Sequence, residues 1–161
     1  MLDRPSDSAM SPTAAASTPH DGLTGSLGDL LILIGRIAIG QLYVVSGFGK
    51  ITALSVFAAG LTKDGVPAPD VMAVIGASVE FFGGLALVFG LKTRWVGALL
   101  VLFTIFATLL RHRYWEFEPP ARGGQYGNFY KNITIIGGLL FVVAAGGGRF
   151  SIDGLLRRRA S

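Results

Sequence analysis

Three residues of one apolar stretch, Arg36, Tyr43 and Lys50, follow one another at intervals of seven. On a helix that interval keeps them along one face, with Gly40 and Gly47 on the same stripe. The next apolar stretch carries a carboxylate, Glu80, with Gly76 four residues before it and Gly84 four after, a pattern that lets a neighbouring helix approach closely. A guanidinium and a carboxylate in such surroundings suggest two chemistries. They form an ion pair that fixes helix register, or the carboxylate handles protons beside a quinone or an ion path. Snorkelling of Arg36 to the nearer headgroups is the plainer alternative for the arginine alone. At 1.5 Å per residue, Arg36 lies about 9 Å and Glu80 about 16 Å from the same end of the bundle, a difference that an extended arginine bridges. Gln41 falls at the level of Glu80. The expected intramembrane polar site is therefore Arg36, Gln41, Tyr43 and Glu80.

A second group is expected at the other end, where Lys50, the polar stretch 111–131 and the start of the last apolar segment converge. It gathers Lys50, His112, Trp115, Asn128 and Lys131, with Glu116, Gln125, Tyr126 and Phe129 beside them. Trp, Tyr and Lys belong to an ordinary headgroup-level belt. The histidine and the amides are what a quinone head or an acidic partner loop would need. Thr104 and Thr108, one turn apart, are expected to bond their own backbone. The chain has no cysteine, which removes thiol, disulfide and iron–sulfur chemistry, so any electron transfer needs a bound quinone or a partner. His20 lies in the polar N-terminal stretch and His112 near a helix end, so no haem-ligating pair and no metal site is expected.

The elements that position these residues are membrane helices. Of 161 residues, 51% are hydrophobic and 15% charged, and the apolar residues come in four long blocks. The first holds ten Leu, Ile and Val residues between Leu30 and Val45, which return roughly 3 to 6 kcal/mol against about 3 for an arginine near the centre. Spans are expected at about 29–47, 71–91, 95–111 and 131–146, each near the roughly 20 residues that cross a bilayer or somewhat short of it. Residues 1–28 read as a disordered polar tail and 149–161 as a basic C-terminal tail, flanking a transmembrane domain over 29–148. Ser46-Gly47-Phe48-Gly49 reads as the exit turn of the first helix. Between the first two spans, Ile51 to Asp70 reads as a short interfacial helix and a Pro-constrained turn. The fold class is all-α, an integral membrane four-helix bundle. Lys and Arg number seven on the terminal side and six on the other, which favours cytoplasmic termini. Basic residues at block ends, with no stripe of interleaved aromatics, exclude a nucleic-acid surface.

In order along the chain stand Arg36, Ser46-Gly47-Phe48-Gly49-Lys50, Glu80-Phe81-Phe82-Gly83-Gly84 and Gly90-Leu91-Lys92-Thr93-Arg94. Arg111-His112, Trp115, Asn128-Phe129-Tyr130-Lys131-Asn132, Gly146 to Arg149 and Ser151-Ile152-Asp153 follow. With these residues the chain resembles the DoxX family of small four-helix bacterial membrane proteins. The resemblance implies a place in the bacterial cytoplasmic membrane. It also implies kinship with subunits of a thiosulfate:quinone oxidoreductase and with other membrane redox assemblies. The leading expectation is a subunit or accessory of a quinone-linked complex, with a redox partner protein and no catalytic apparatus of its own. A non-enzymatic scaffold or partner-binding protein is the alternative. A small transporter is weaker, because four helices form a path only as a homo-oligomer.

Overall fold

The computed structural model describes residues 25–160, so most of the expected N-terminal tail lies outside the described residues. The described residues form six α-helices and no strand: α1 (Ser26–Thr52), α2 (Leu54–Lys63), α3 (Pro69–Phe89), α4 (Thr93–Arg111), α5 (Ala121–Ala145) and α6 (Ile152–Ala160), with a 3-10 turn at Tyr114–Glu116. Helices α1, α3, α4 and α5 are long and apolar enough to cross a membrane, and α2 is the short helix between the first two spans.

Two boundaries differ from the sequence expectation. Helix α1 runs straight through Ser46-Gly47-Phe48-Gly49 to Thr52, so those glycines form no exit turn. Gly47 is there for packing: a Cβ on it would lie 2.8 Å from Phe81 Cα on α3. The last span begins at Ala121 rather than near 131. Polar residues such as Gln125 and Asn128 hide it from hydropathy but leave its backbone hydrogen bonds intact. Pro119 and Pro120 set its start, since proline is tolerated only at a helix N-terminus.

Helix α3 starts with Pro69 in its first turn and ends in a Schellman motif. Gly90, at φ 69°, donates to Leu87 O, and Leu91 N–H closes onto Ala86 O at 2.9 Å. α1 packs along α3 and α4 along α5, while α3–α4 and α1–α5 contacts close the bundle. The core is small: Tyr43, Leu87, Leu100, Val101, Leu139 and Val142, with a satellite of Ala58, Leu61 and Ala73 beneath α2. Large apolar side chains such as Val45, Phe82, Phe106 and Phe141 point outward. That distribution suits lipid, where close backbone approach rather than hydrophobic burial drives helix association.

Candidate functional site

Glycines facing across α1 and α3 set which polar groups meet. Cβ atoms added at Gly40 or Gly84 would strike the opposite backbone, Gly84 O at 3.0 Å and Gly40 O at 2.9 Å respectively. This register places Arg36 level with the last turn of α3, seven to eight residues beyond Glu80. That offset is about 11 Å along the axis, out of reach of one side chain. The expected Arg36–Glu80 pair is therefore not formed. Arg36, fully buried, donates instead to Leu87 O (3.0 Å), Val88 O (2.9 Å) and Phe150 O (2.6 Å). The guanidinium joins Gly90 N–H on Leu87 O, takes up Val88 O in the last turn of α3, and ties both to Phe150 O in the segment before α6. Gly90 makes room for it, because a Cβ there would meet Arg36 Cζ at 3.0 Å.

The same end is sealed by the chain after α5. Helix α4 has no side-chain cap of its own. Asp153 supplies one from α6, accepting from Lys92 N–H (2.7 Å), Thr93 N–H and Thr93 Oγ1 (both 2.8 Å). Burial by itself would raise the Asp153 carboxyl, but the Thr93 and Lys92 donors and the nearby Arg157 charge hold it below its ordinary value. A depressed folded-state value stabilises the fold above the ordinary aspartate range, near pH 4, and that contribution is lost as pH falls through the lowered value. Asp153→Ala should lower the unfolding midpoint in detergent at neutral pH, and the variant should lose less stability than the parent on acidification below pH about 4. Equal acid sensitivity in both would refute the cap.

Glu80 pairs with Lys50, at the other end of the stripe. Lys50 also donates to Ser46 Oγ (3.1 Å) and stands over the Phe57 ring at 5.2 Å. Glu80 Oε2 is buried without a partner. The pair lines a cavity of about 580 Å³, within the range of small-molecule sites. Its walls are apolar, with Phe57, Leu61, Phe103, Phe106 and Ile135 among them. Its remaining polar lining comes from Tyr43, Ser46, Thr104, Arg111, His112, Lys131 and Asn132. Thr104 and Thr108 donate to Leu100 O (2.7 Å) and Thr104 O (2.6 Å), as expected of buried helix threonines. Their hydroxyl protons being spent, Thr104 Oγ1 accepts from the Tyr43 hydroxyl and Thr108 Oγ1 from Asn132 Nδ2 (2.9 Å). Tyr43 thus keeps only acceptor capacity. His112 Nδ1 donates to Gln125 Oε1 (2.7 Å), and Arg111 pairs with Asp64 (3.1 Å), closing α2 and α5 against the end of α4.

The DoxX family model matches residues 31–113, just over half of the chain. The chain belongs to the DoxX family. It is similar to the Escherichia coli inner membrane proteins YphA (30% identical, covering 80% of this chain and 92% of YphA) and YqjF (35% identical, covering 83% and 97%). A shorter match joins 47% of the chain to 24% of the yeast ER-derived vesicles protein ERV29, at 32% identity. No solved structure matches the chain.

In this DoxX chain the expected sites are regrouped. Tyr43 and Glu80 join Lys50, His112 and Lys131 around one cavity, while Arg36 belongs to the opposite end. Gln41 is exposed on the outer face of α1, because it sits off the buried stripe of Arg36, Gly40, Tyr43 and Gly47. Trp115 packs on Tyr114 and Phe129, and Asn128 accepts from Lys131 (3.0 Å), so both lie at the rim rather than in the lining. Asn132 and Asp153 were missed as site residues. Pairing the glycine stripes of the first two spans would have pointed to Lys50 as the partner of Glu80, since Gly47 against Phe81 brings Lys50 level with it.

Proposed function

We propose that this DoxX-family membrane protein is the quinone-binding subunit or accessory of an inner-membrane redox complex, with its termini in the cytoplasm. The observation that carries the reading is the Lys50–Glu80 pair at the wall of an apolar cavity, with Glu80 Oε2 left unpartnered. A quinone has the matching build: an apolar ring and tail bearing two oxygens that need hydrogen-bond partners. Lys50 would donate to a ring oxygen, Glu80 Oε2 would accept from the hydroxyl of the reduced form, and the aromatic walls would exclude water. The bound quinone would supply the two-electron chemistry. With no cysteine in the chain, the electrons would come from a partner protein.

A scaffold reading has its own support, because both terminal nitrogens of Arg36 are spent on backbone carbonyls at the end of α3 and before α6, a structural task. Paired substitutions separate the two. Glu80→Gln alone strands the Lys50 ammonium and should cost about 2 kcal/mol, less than a fully buried pair because Lys50 keeps 28% of its side chain exposed. Lys50→Met with Glu80→Gln removes both charges and should restore the unfolding midpoint. Quinone binding by the purified parent, lost in this double variant at unchanged stability, supports the site. A parent that binds no quinone leaves the scaffold.

A further inference from the structure

The opposite end of the bundle carries a feature that the cavity does not use. Helix α6 is fastened at its start: Asp153 N–H donates to Gly90 O (3.0 Å), Gly154 N–H to Ser151 Oγ (2.9 Å), and Arg36 holds Phe150 O. Gly154 is buried, and a Cβ on it would lie 2.9 Å from Arg149 O, so α6 is seated hard against the loop that follows α5. The rest of α6 is not covered. Leu155 and Leu156 are 55% and 56% exposed and Phe150 is 50% exposed, while Arg157, Arg158 and Arg159 follow directly.

This segment lies where the first described turn of α1, the α3–α4 turn and the end of α5 come together. Arg149 N–H donates to Asp29 Oδ1 (2.8 Å) and Arg94 to Ala144 O (3.1 Å). That is the level at which spans leave the hydrocarbon, and Trp95, 80% exposed, sits there as an interfacial aromatic would. The charge at this end is one-sided. Among the described residues, Lys92, Arg94, Arg149 and the three arginines of α6 face two carboxylates, of which Asp29 is taken by Arg149 and Asp153 by the α4 N-terminus. A short helix with exposed leucines beside clustered arginines matches a layer that has acyl chains on one side and negative headgroups on the other.

We propose that α6 and the adjoining Phe150 form a binding site for anionic phospholipid, with Leu155, Leu156 and Phe150 entering the acyl region and Arg157 and Arg159 meeting headgroup phosphates. Because α6 is bonded to the ends of α3 and α4, the lipid braces the same junction that Arg36 and Asp153 close.

The absence of cysteine allows a clean probe. Leu156→Cys in the full chain, labelled with a polarity-sensitive fluorophore in mild detergent, is titrated with phosphatidylglycerol or phosphatidylcholine. Phosphatidylglycerol should shift the emission to the blue at a mole fraction at least tenfold lower than phosphatidylcholine. Arg157→Gln with Arg159→Gln, in the same labelled chain, should weaken the phosphatidylglycerol response about thirtyfold and leave the phosphatidylcholine response alone, at about 1 kcal/mol per cation. Arg159→Gln by itself, which leaves the surroundings of Asp153 intact, should weaken it about fivefold. Equal titration by both lipids, variants that titrate like the parent, or a label already shielded in a lipid-free dimer would each overturn the proposal.

Discussion

Arg36→Ala is expected to lower the unfolding midpoint of the detergent-solubilised protein by roughly 10 to 20 °C. The guanidinium makes three hydrogen bonds to carbonyls, on α3 and on the segment before α6, and each bond from a charged donor contributes about 1.5 to 3 kcal/mol. Such bonds are not additive, so a total near 5 kcal/mol is the reasonable expectation. In a chain of this length 1 kcal/mol moves the midpoint by about 2 to 4 °C. Leu87 O would keep Gly90 N–H, but Val88 O and Phe150 O would lose the donor that ties α3 to the segment before α6, which places this loss among the larger single-residue effects. Arg36→Lys should recover only a minor part, because an ammonium lacks the planar fork that reaches two directions at once. The charge exchange Arg36→Glu with Glu80→Arg should not rescue, since the two groups stand at different levels of the bundle. Full stability of the lysine variant, or rescue by the exchange, would return Arg36 to the role of a simple counter-charge.

Gly47→Ala should be nearly as damaging, although it adds one methyl group to a helix. That methyl would lie 2.8 Å from Phe81 Cα and 2.9 Å from Phe81 Cβ, and backbone cannot swing aside as a side chain can. Helices α1 and α3 would have to separate, at about 3 kcal/mol or more, the upper part of the range for overpacking. The separation would also draw Lys50 from Glu80 and Tyr43 from Thr104, so any quinone binding at the proposed site should fall together with stability. Gly84→Ala, aimed at Val44 N and Gly40 O, should behave alike. Gly49→Ala is the control: nothing lies within 4 Å of its Cβ position, and alanine is the better helix former by about 1 kcal/mol. Thermal unfolding of the three variants side by side decides the matter, and matching midpoints for Gly47→Ala and Gly49→Ala would remove the close α1–α3 approach from the account.

Much of the architecture was legible beforehand, and the misreadings have a common physical origin. Hydropathy registers how apolar a window is, so it found four spans and the helix between the first two. It could not see that Gln125 and Asn128 belong to the same helix, because a polar side chain at an interface breaks no backbone hydrogen bond. Glycine was read at Ser46-Gly47-Phe48-Gly49 for its conformational freedom, whereas Gly47 matters for its missing side chain. The individual site residues were legible by type, with Glu80, Lys50 and Arg36 conspicuous in apolar surroundings, but their partners were not.

The sequence by itself determined a membrane-spanning bundle of four helices, its family, and a small set of polar residues that had to find partners within it. Only the tertiary structure decided the pairing: Lys50 rather than Arg36 for Glu80, helix-end carbonyls for Arg36, and the α4 N-terminus for Asp153. The reason is register. A chain specifies each helix through local composition, but the axial offset between two helices depends on where small residues let backbones touch, and a shift of seven residues, about 11 Å, exchanges one set of partners for another.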